Sequence, residues 1–195
     1  DQDFFRFFGI FRNVTLKAIP DVHVQDMWIK PTLNEDNTSG AIRVDVKISA
    51  VKVGEKSAKF ILADKSGNKL LCKDIALEDT EGMVQGSMMA EVEKVIPWDN
   101  RSPYLYEAFI EVYENGQLAE VVFYRVGFRR LEIIDKVMYL NGKRLILTGV
   151  NRHEWNAKTG RVIGMDEMIS DMKCVKRNNI NAVRTCHYPD QIPWY

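Results

Sequence analysis

The hydrophobic pattern of this chain changes its period near residue 135, and this change limits the possible folds more than any other feature. Before that point, apolar residues alternate with polar ones over short stretches. The clearest stretch covers residues 41–49, where Ile42, Val44, Val46 and Ile48 share one face. After it, residues 165–178 show the apolar spacing of an amphipathic helix. A β domain followed by a domain with helices is therefore predicted.

The first part of the chain reads as a series of short strands separated by turns. Lys65-Ser66-Gly67-Asn68 and Glu114-Asn115-Gly116-Gln117 are hairpin turn signals, since Asn-Gly readily adopts positive φ angles. About seven short strands with regular turns predict an immunoglobulin-like β-sandwich over residues 20–135. The predicted strands, besides residues 41–49, cover residues 11–19, 58–63, 69–75, 88–95, 105–113 and 118–126.

Residues 136–195 predict one βαβ unit. Apolar stretches at residues 145–148 and 180–183 flank the helix, which has Asp166 and Glu167 near its start and Lys176 and Arg177 near its end, as the helix dipole favours. One such unit cannot cover both faces of a parallel sheet. A (β/α)₈ barrel needs roughly 250 residues. We therefore expect residues 136–195 to be the N-terminal portion of an incomplete barrel.

Composition narrows the function classes. The chain has 27 Lys and Arg against 27 Asp and Glu, which leaves no electrostatic footprint for nucleic acid or an anionic membrane. No apolar run approaches the roughly 20 residues that span a bilayer, and a cytoplasmic protein is expected. The chain has three cysteines, Cys72, Cys174 and Cys186, and this odd number suggests free thiols. None of them forms a CxxC pair, which argues against a zinc site.

Two polar clusters follow the two predicted strands of the βαβ unit. They are Asn151-Arg152-His153-Glu154 and, further on, Arg184 with His187-Tyr188-Pro189. Active sites of barrels lie where the strands end at their carboxyl side. Several directional donors and acceptors suit a polyhydroxylated ligand, so the sequence predicts a sugar site here.

These motifs resemble family 2 glycoside hydrolases, and within them the β-galactosidase branch. The resemblance rests on Thr148-Gly149-Val150-Asn151-Arg152-His153-Glu154, on Asn179-Ile180-Asn181-Ala182-Val183-Arg184 and on His187-Tyr188-Pro189. It extends to Val126-Gly127-Phe128-Arg129 and to Asp1-Gln2-Asp3-Phe4, so it covers essentially the whole chain. It implies that residues 1–19 are the tail of a preceding jelly-roll domain and its linker.

The resemblance implies a retaining β-galactosidase that is a homo-oligomer when intact. His153 and His187 would hydrogen-bond the sugar, Asn151 and Arg152 would shape the pocket floor, and Arg184 would support the catalytic carboxylates. Asp3 would contact sugar hydroxyls and help to bind Na⁺, and the resemblance suggests Mg²⁺ as a second cofactor of the complete enzyme. Both catalytic glutamates would lie outside this chain, so the chain alone is expected to be inactive.

Alternative functions remain open at this point. A β-glucuronidase or another family 2 β-glycosidase would share most of these motifs. A non-catalytic carbohydrate-binding or interaction module is a third reading, because sandwiches host many functions. The barrel-like residues after about position 136 argue against it, since a binding module has no need of them.

Overall fold

The structure, a computed structural model, describes residues 9–50, 54–80 and 83–195. The chain forms two compact units. One is Ala18–Leu145, and the other combines Ile146–Tyr195 with Asp1–Lys17, described from Gly9 onwards. The short strands within residues 131–144 therefore belong to the first unit.

The first unit is a two-layered β-sandwich built from seven strands. Their order in the hydrogen-bonded ladder is β1-β2-β5-β4-β3-β6-β7, and all neighbours are antiparallel. Residues 69–75 of β4 pair with β3, whereas residues 76–80 pair with β5. β4 thus passes from one layer to the other. The strands are β1 Val22–Leu33, β2 Gly40–Ala50, β3 Lys56–Ala63, β4 Lys69–Thr80, β5 Met83–Val92, β6 Tyr106–Glu114 and β7 Gln117–Val126.

The core of the sandwich forms from alternate residues of its strands, as the sequence predicts. On β2, Ile42, Val44, Val46 and Ile48 are all at most 3 % exposed. On β6, every second residue from Tyr106 to Val112 is buried. The turn between β6 and β7 has positive φ at Asn115 and Gly116, as predicted for a tight hairpin.

Near the start of the chain, one strand prediction is wrong and one strand of the sandwich was not predicted. Residues 11–19 form no strand, and Leu16 is fully exposed, because none of the described strands pairs with this segment. β1 is the unpredicted strand. Its alternation is interrupted by a register shift between Val24 and Asp26, and it exposes Trp28 to solvent.

A small antiparallel sheet follows the sandwich strands within the same unit. It comprises β8 Leu131–Ile134, β9 Val137–Leu140 and β10 Lys143–Arg144. Asn141 anchors it, because its side-chain amide donates to the carbonyl of Trp98 at 3.0 Å and its Oδ1 accepts from the amide of Arg130 at 2.9 Å.

The second unit contains the predicted βαβ arrangement, but residues 145–148, which were predicted to belong to its first strand, form no strand. β11 Gly149–Arg152 and β12 Ala182–Thr185 pair in parallel, and α1 Met165–Arg177 connects them. Asn181 fastens the amino ends of the two strands, since its side chain accepts from the amide of Thr148 at 2.8 Å and donates to the carbonyl of Ile146 at 2.8 Å. A short 3₁₀ helix, Ile192–Trp194, follows.

The apolar stripe of α1 is only partly covered. Met168 packs with Ile163 and Trp194 and is 4 % exposed, whereas Met165 and Met172 are 53 % and 45 % exposed. Two of the three methionines in this stripe are therefore accessible to solvent. None of the described helices has the length and apolar character that crossing a membrane requires.

Candidate functional site

The two predicted histidines meet at the carboxyl edge of the β11–β12 pair. His153 follows β11 and His187 follows β12, and the parallel pairing places the two strand ends side by side. The ring centroids of the two histidines are 5.5 Å apart, with the rings nearly perpendicular. The ring of Tyr188 lies 6.2 Å from that of His153. Residues 34 positions apart in the sequence thus form one polar cluster.

Cys186 lies beneath the two histidines and is fully buried. Its amide donates to the carbonyl of Arg152 at 2.8 Å, which extends the strand pairing by one residue. The guanidinium of Arg184 donates to Cys186 Sγ at 3.1 Å.

The other predicted site residues are placed less closely. Asn151 and Arg184 both lie at the carboxyl ends of their strands and are exposed. Arg184 contacts the histidine cluster through its hydrogen bond to Cys186. Asp3, predicted to contact sugar and Na⁺, lies outside the described residues.

The Arg152 side chain is buried and contacts two aspartates and a tryptophan. Its Nε donates to Asp171 at 2.9 Å, a terminal nitrogen donates to Asp190 at 2.7 Å, and its guanidinium lies 3.8 Å from the centre of the Trp194 ring. The Asp190 side chain is fully buried, and this burial raises the pKa of its carboxyl although Arg152 opposes the shift.

Glu154, next to His153, is buried and held from two sides. One carboxylate oxygen accepts from Arg12 at 2.8 Å, and the other accepts from the amide of Gln191 at 2.8 Å. Arg12 also donates to the carbonyl of Pro189 at 2.7 Å. Arg12 therefore ties the residue after His153 to the loop that carries His187. Sequence reasoning did not identify this role, because Arg12 and Glu154 are 142 positions apart.

The site can donate and accept hydrogen bonds toward a polar ligand through two imidazoles. Retaining glycoside hydrolysis needs two carboxyl groups roughly 5 Å apart that face the scissile bond. Among the described residues of this unit, the buried carboxylates Glu154 and Asp190 are both engaged by arginines. Both carboxylates are thus buried within ion pairs rather than exposed at the strand ends.

Comparison with known families gives matches along most of the chain. Residues 22–129 match the profile described as Glycosyl hydrolases family 2. Residues 131–195 match the profile described as Glycosyl hydrolases family 2, TIM barrel domain.

Among curated relatives, the chain is 47 % identical to a β-galactosidase large subunit of Lactobacillus acidophilus, over the whole chain and 30 % of that protein. It is 45 % identical to a β-galactosidase of Streptococcus thermophilus, over the whole chain and 18 % of that protein. The chain thus spans less than a third of the length of these relatives.

Among solved structures, the chain resembles a Parabacteroides merdae β-glucuronidase with a TM-score of 0.79 and 24 % identity, over 90 % of this chain and 22 % of that one. It also resembles a Ruminococcus gnavus β-glucuronidase with a TM-score of 0.75 and 25 % identity, over 91 % of this chain and 28 % of that one. At such identities the likeness to the first structure concerns the fold alone.

Proposed function

The chain belongs to glycosyl hydrolase family 2, and we propose that it is part of a retaining β-galactosidase that removes terminal β-D-galactose from β-galactosides. The observation that carries this proposal is the pairing of His153 with His187 at adjacent strand ends, in a chain that matches β-galactosidases over its whole length. Two imidazoles at the carboxyl edge of barrel strands suit the hydroxyl groups of a sugar.

A β-glucuronidase is the second candidate, because the solved structures described above carry that name. Their identity to this chain, 24 % and 25 %, is about half the 47 % and 45 % of the β-galactosidases. Side chains that choose between a galactoside and a glucuronide diverge faster than the fold, so the higher identity favours the galactoside.

We assign the residues of the site as follows. His153 and His187 hydrogen-bond the sugar and stabilise the charge that develops in the transition state. Asn151, exposed at the end of β11, lines the pocket, and Arg184 supports neighbouring groups through its bond to Cys186. Asp3 remains a proposed contact for sugar and sodium. We also propose a cytoplasmic homo-oligomer for the complete enzyme.

The proposed Na⁺ and Mg²⁺ ions do not fit the residues at the β11–β12 edge. Both ions prefer oxygen ligands, whereas this cluster offers two imidazoles and a thiol. No catalytic step at this edge is therefore assigned to either ion.

The catalytic carboxyl pair is proposed to lie in parts of the enzyme outside these 195 residues. The ion pairs of Glu154 with Arg12 and of Asp190 with Arg152 support this proposal, because both buried carboxylates already have a guanidinium partner. The chain alone is thus expected to show no hydrolysis.

The test compares nitrophenyl β-galactoside and nitrophenyl β-glucuronide as substrates for the protein expressed from its full coding sequence. We expect kcat/KM for the galactoside to fall about 10²- to 10³-fold in His153→Ala and His187→Ala, by analogy with the loss of one donor to a transition-state charge. His23→Ala is the matched control, because His23 lies on β1 of the sandwich and should leave activity unchanged.

Three results would contradict the proposal. They are preference for the glucuronide, unchanged activity in both site variants, or turnover by the purified 195-residue chain above that of a mock preparation.

A further inference from the structure

We propose that His153, Cys186 and His187 form a binding site for a soft divalent cation of the zinc type. One ligand atom of each residue, two imidazole nitrogens and the thiol sulfur, lies within 4.8 Å of the other two. The sequence does not suggest this site, because His153 is 33 positions from Cys186 and none of the cysteines belongs to a CxxC pair.

The spacing is close to what a tetrahedral ion requires. Zn–N bonds of 2.0–2.1 Å and a Zn–S bond near 2.3 Å place ligand atoms about 3.3–3.6 Å apart. The cluster must therefore contract by roughly 1 Å at its widest separation. His187 is exposed and His153 is half-buried, so rotation of the two rings can supply this movement. Cys186 is held in place by the hydrogen bond from its backbone amide to the Arg152 carbonyl.

The donor set selects the kind of ion. Two imidazoles and a thiolate favour Zn²⁺ and its spectroscopic substitute Co²⁺ over Mg²⁺ or Ca²⁺. Three protein ligands leave a fourth position open to water or to a ligand hydroxyl. The bond from Arg184 to Cys186 Sγ is the kind of outer contact that orients a metal-bound sulfur.

The metal and the sugar would compete, which is the one part of this inference that rests on the proposed function. The imidazole nitrogens that bind the ion are the groups assigned to the galactoside. Zn²⁺ should therefore raise KM for the galactoside without changing kcat in the complete enzyme, and it should do so much less in Cys186→Ser.

The direct test does not involve activity. The protein expressed from its full coding sequence is titrated with Co²⁺, and the near-ultraviolet thiolate-to-cobalt band is recorded for wild type and variants. We expect a band in wild type that disappears on adding Zn²⁺, is absent in Cys186→Ser and is weakened in His153→Ala. The double variant Cys72→Ser/Cys174→Ser should retain the band, because both of these thiols are exposed and lie apart from the cluster.

Each outcome decides the matter. A wild-type band that Cys186→Ser removes, with an unchanged circular dichroism spectrum, supports the site even if the enzyme cleaves another sugar. No thiolate band in wild type, or a band that persists in Cys186→Ser, overturns it. Loss of the band in Cys72→Ser/Cys174→Ser would assign the metal to other thiols and would equally overturn it.

Discussion

Replacing Arg152 with methionine should strongly destabilise the βαβ unit. The Asp190 side chain is fully buried, and its second carboxylate oxygen has no hydrogen-bond partner among the described residues. Arg152 supplies the ion pair at 2.7 Å. Methionine retains much of the packing against Trp194 but leaves a buried carboxylate without its main counter-ion. Removing one partner of a buried ion pair costs about 3–5 kcal/mol.

Neutralising the other partner of this ion pair, in Asp190→Asn, should lower the free energy of unfolding far less. Arg152 keeps its ion pair with Asp171 at 2.9 Å and its place over Trp194. Burial, together with the nearby Glu154 carboxylate, raises the pKa of Asp190 despite Arg152, so the folded environment disfavours the charged form of this group. A neutral side chain of the same shape avoids burying that charge, and we expect a loss of about 1 kcal/mol or less.

The pH dependence follows from the raised pKa. A carboxyl group whose pKa is higher in the folded protein favours folding below its unfolded value, here 3.8, and this contribution is lost as pH rises through the folded value. In Arg152→Met the pKa of Asp190 should rise further, because an opposing cation is gone. The defect of Arg152→Met should therefore shrink as the pH is lowered toward 3.8.

Alkylation of the buried Cys186 thiol measures these effects locally, in a background where the exposed Cys72 and Cys174 are serine. A loss of 3–5 kcal/mol corresponds to labelling faster by about two to four orders of magnitude. Asp190→Asn should accelerate labelling about tenfold or less. Equal acceleration in both variants, or a defect in Arg152→Met that does not change with pH, would refute the reasoning.

Three further predictions concern the sandwich, each checked by urea denaturation. Asp36 accepts hydrogen bonds that hold its pKa below the ordinary 3.8, so its contribution to the free energy of unfolding is lost as the pH falls through the folded pKa. Asp36→Asn should therefore lose less stability in acid than wild type. The same dependence of unfolding free energy on pH in both proteins would contradict this. Tyr106→Phe should cost about 1–3 kcal/mol, since the Ile96 amide loses its acceptor at 2.7 Å, and a loss below about 0.5 kcal/mol would count against it. Gly86→Ala should cost about 1–3 kcal/mol, because a Cβ there would lie 2.6 Å from the Ala76 carbonyl oxygen, whereas the exposed Ser87→Ala should be nearly neutral; similar losses would argue against a steric cause.

Local pattern predicted most of the elements of this chain. Period two marked β2 and β6 because each buries one face, and the Asn115-Gly116 turn was recognisable because it needs positive φ. The same reasoning failed where a partner decides the outcome. Residues 11–19 alternate in sequence yet pair with none of the strands that the structure describes, whereas β1 pairs with β2 despite its register shift.

The candidate site could likewise be predicted only in part from the sequence. The sequence marked His153 and His187 through their motifs and their positions after predicted strands. The distance between them follows from the parallel pairing of β11 with β12, in which Arg152 stands opposite Thr185. The pattern of single residues carries no information about this register.

The class of most segments could be predicted from local sequence, because hydrophobic period and turn chemistry are local properties of the chain. Which charged and ligating groups come into contact depends instead on the tertiary structure. Arg12 binds Glu154, which is 142 positions away in the sequence, and Arg152 binds Asp190, which is 38 positions away. His153 and His187 both lie close to Cys186. These contacts depend on how the strands pair and where the loops return, which are properties of the folded chain as a whole.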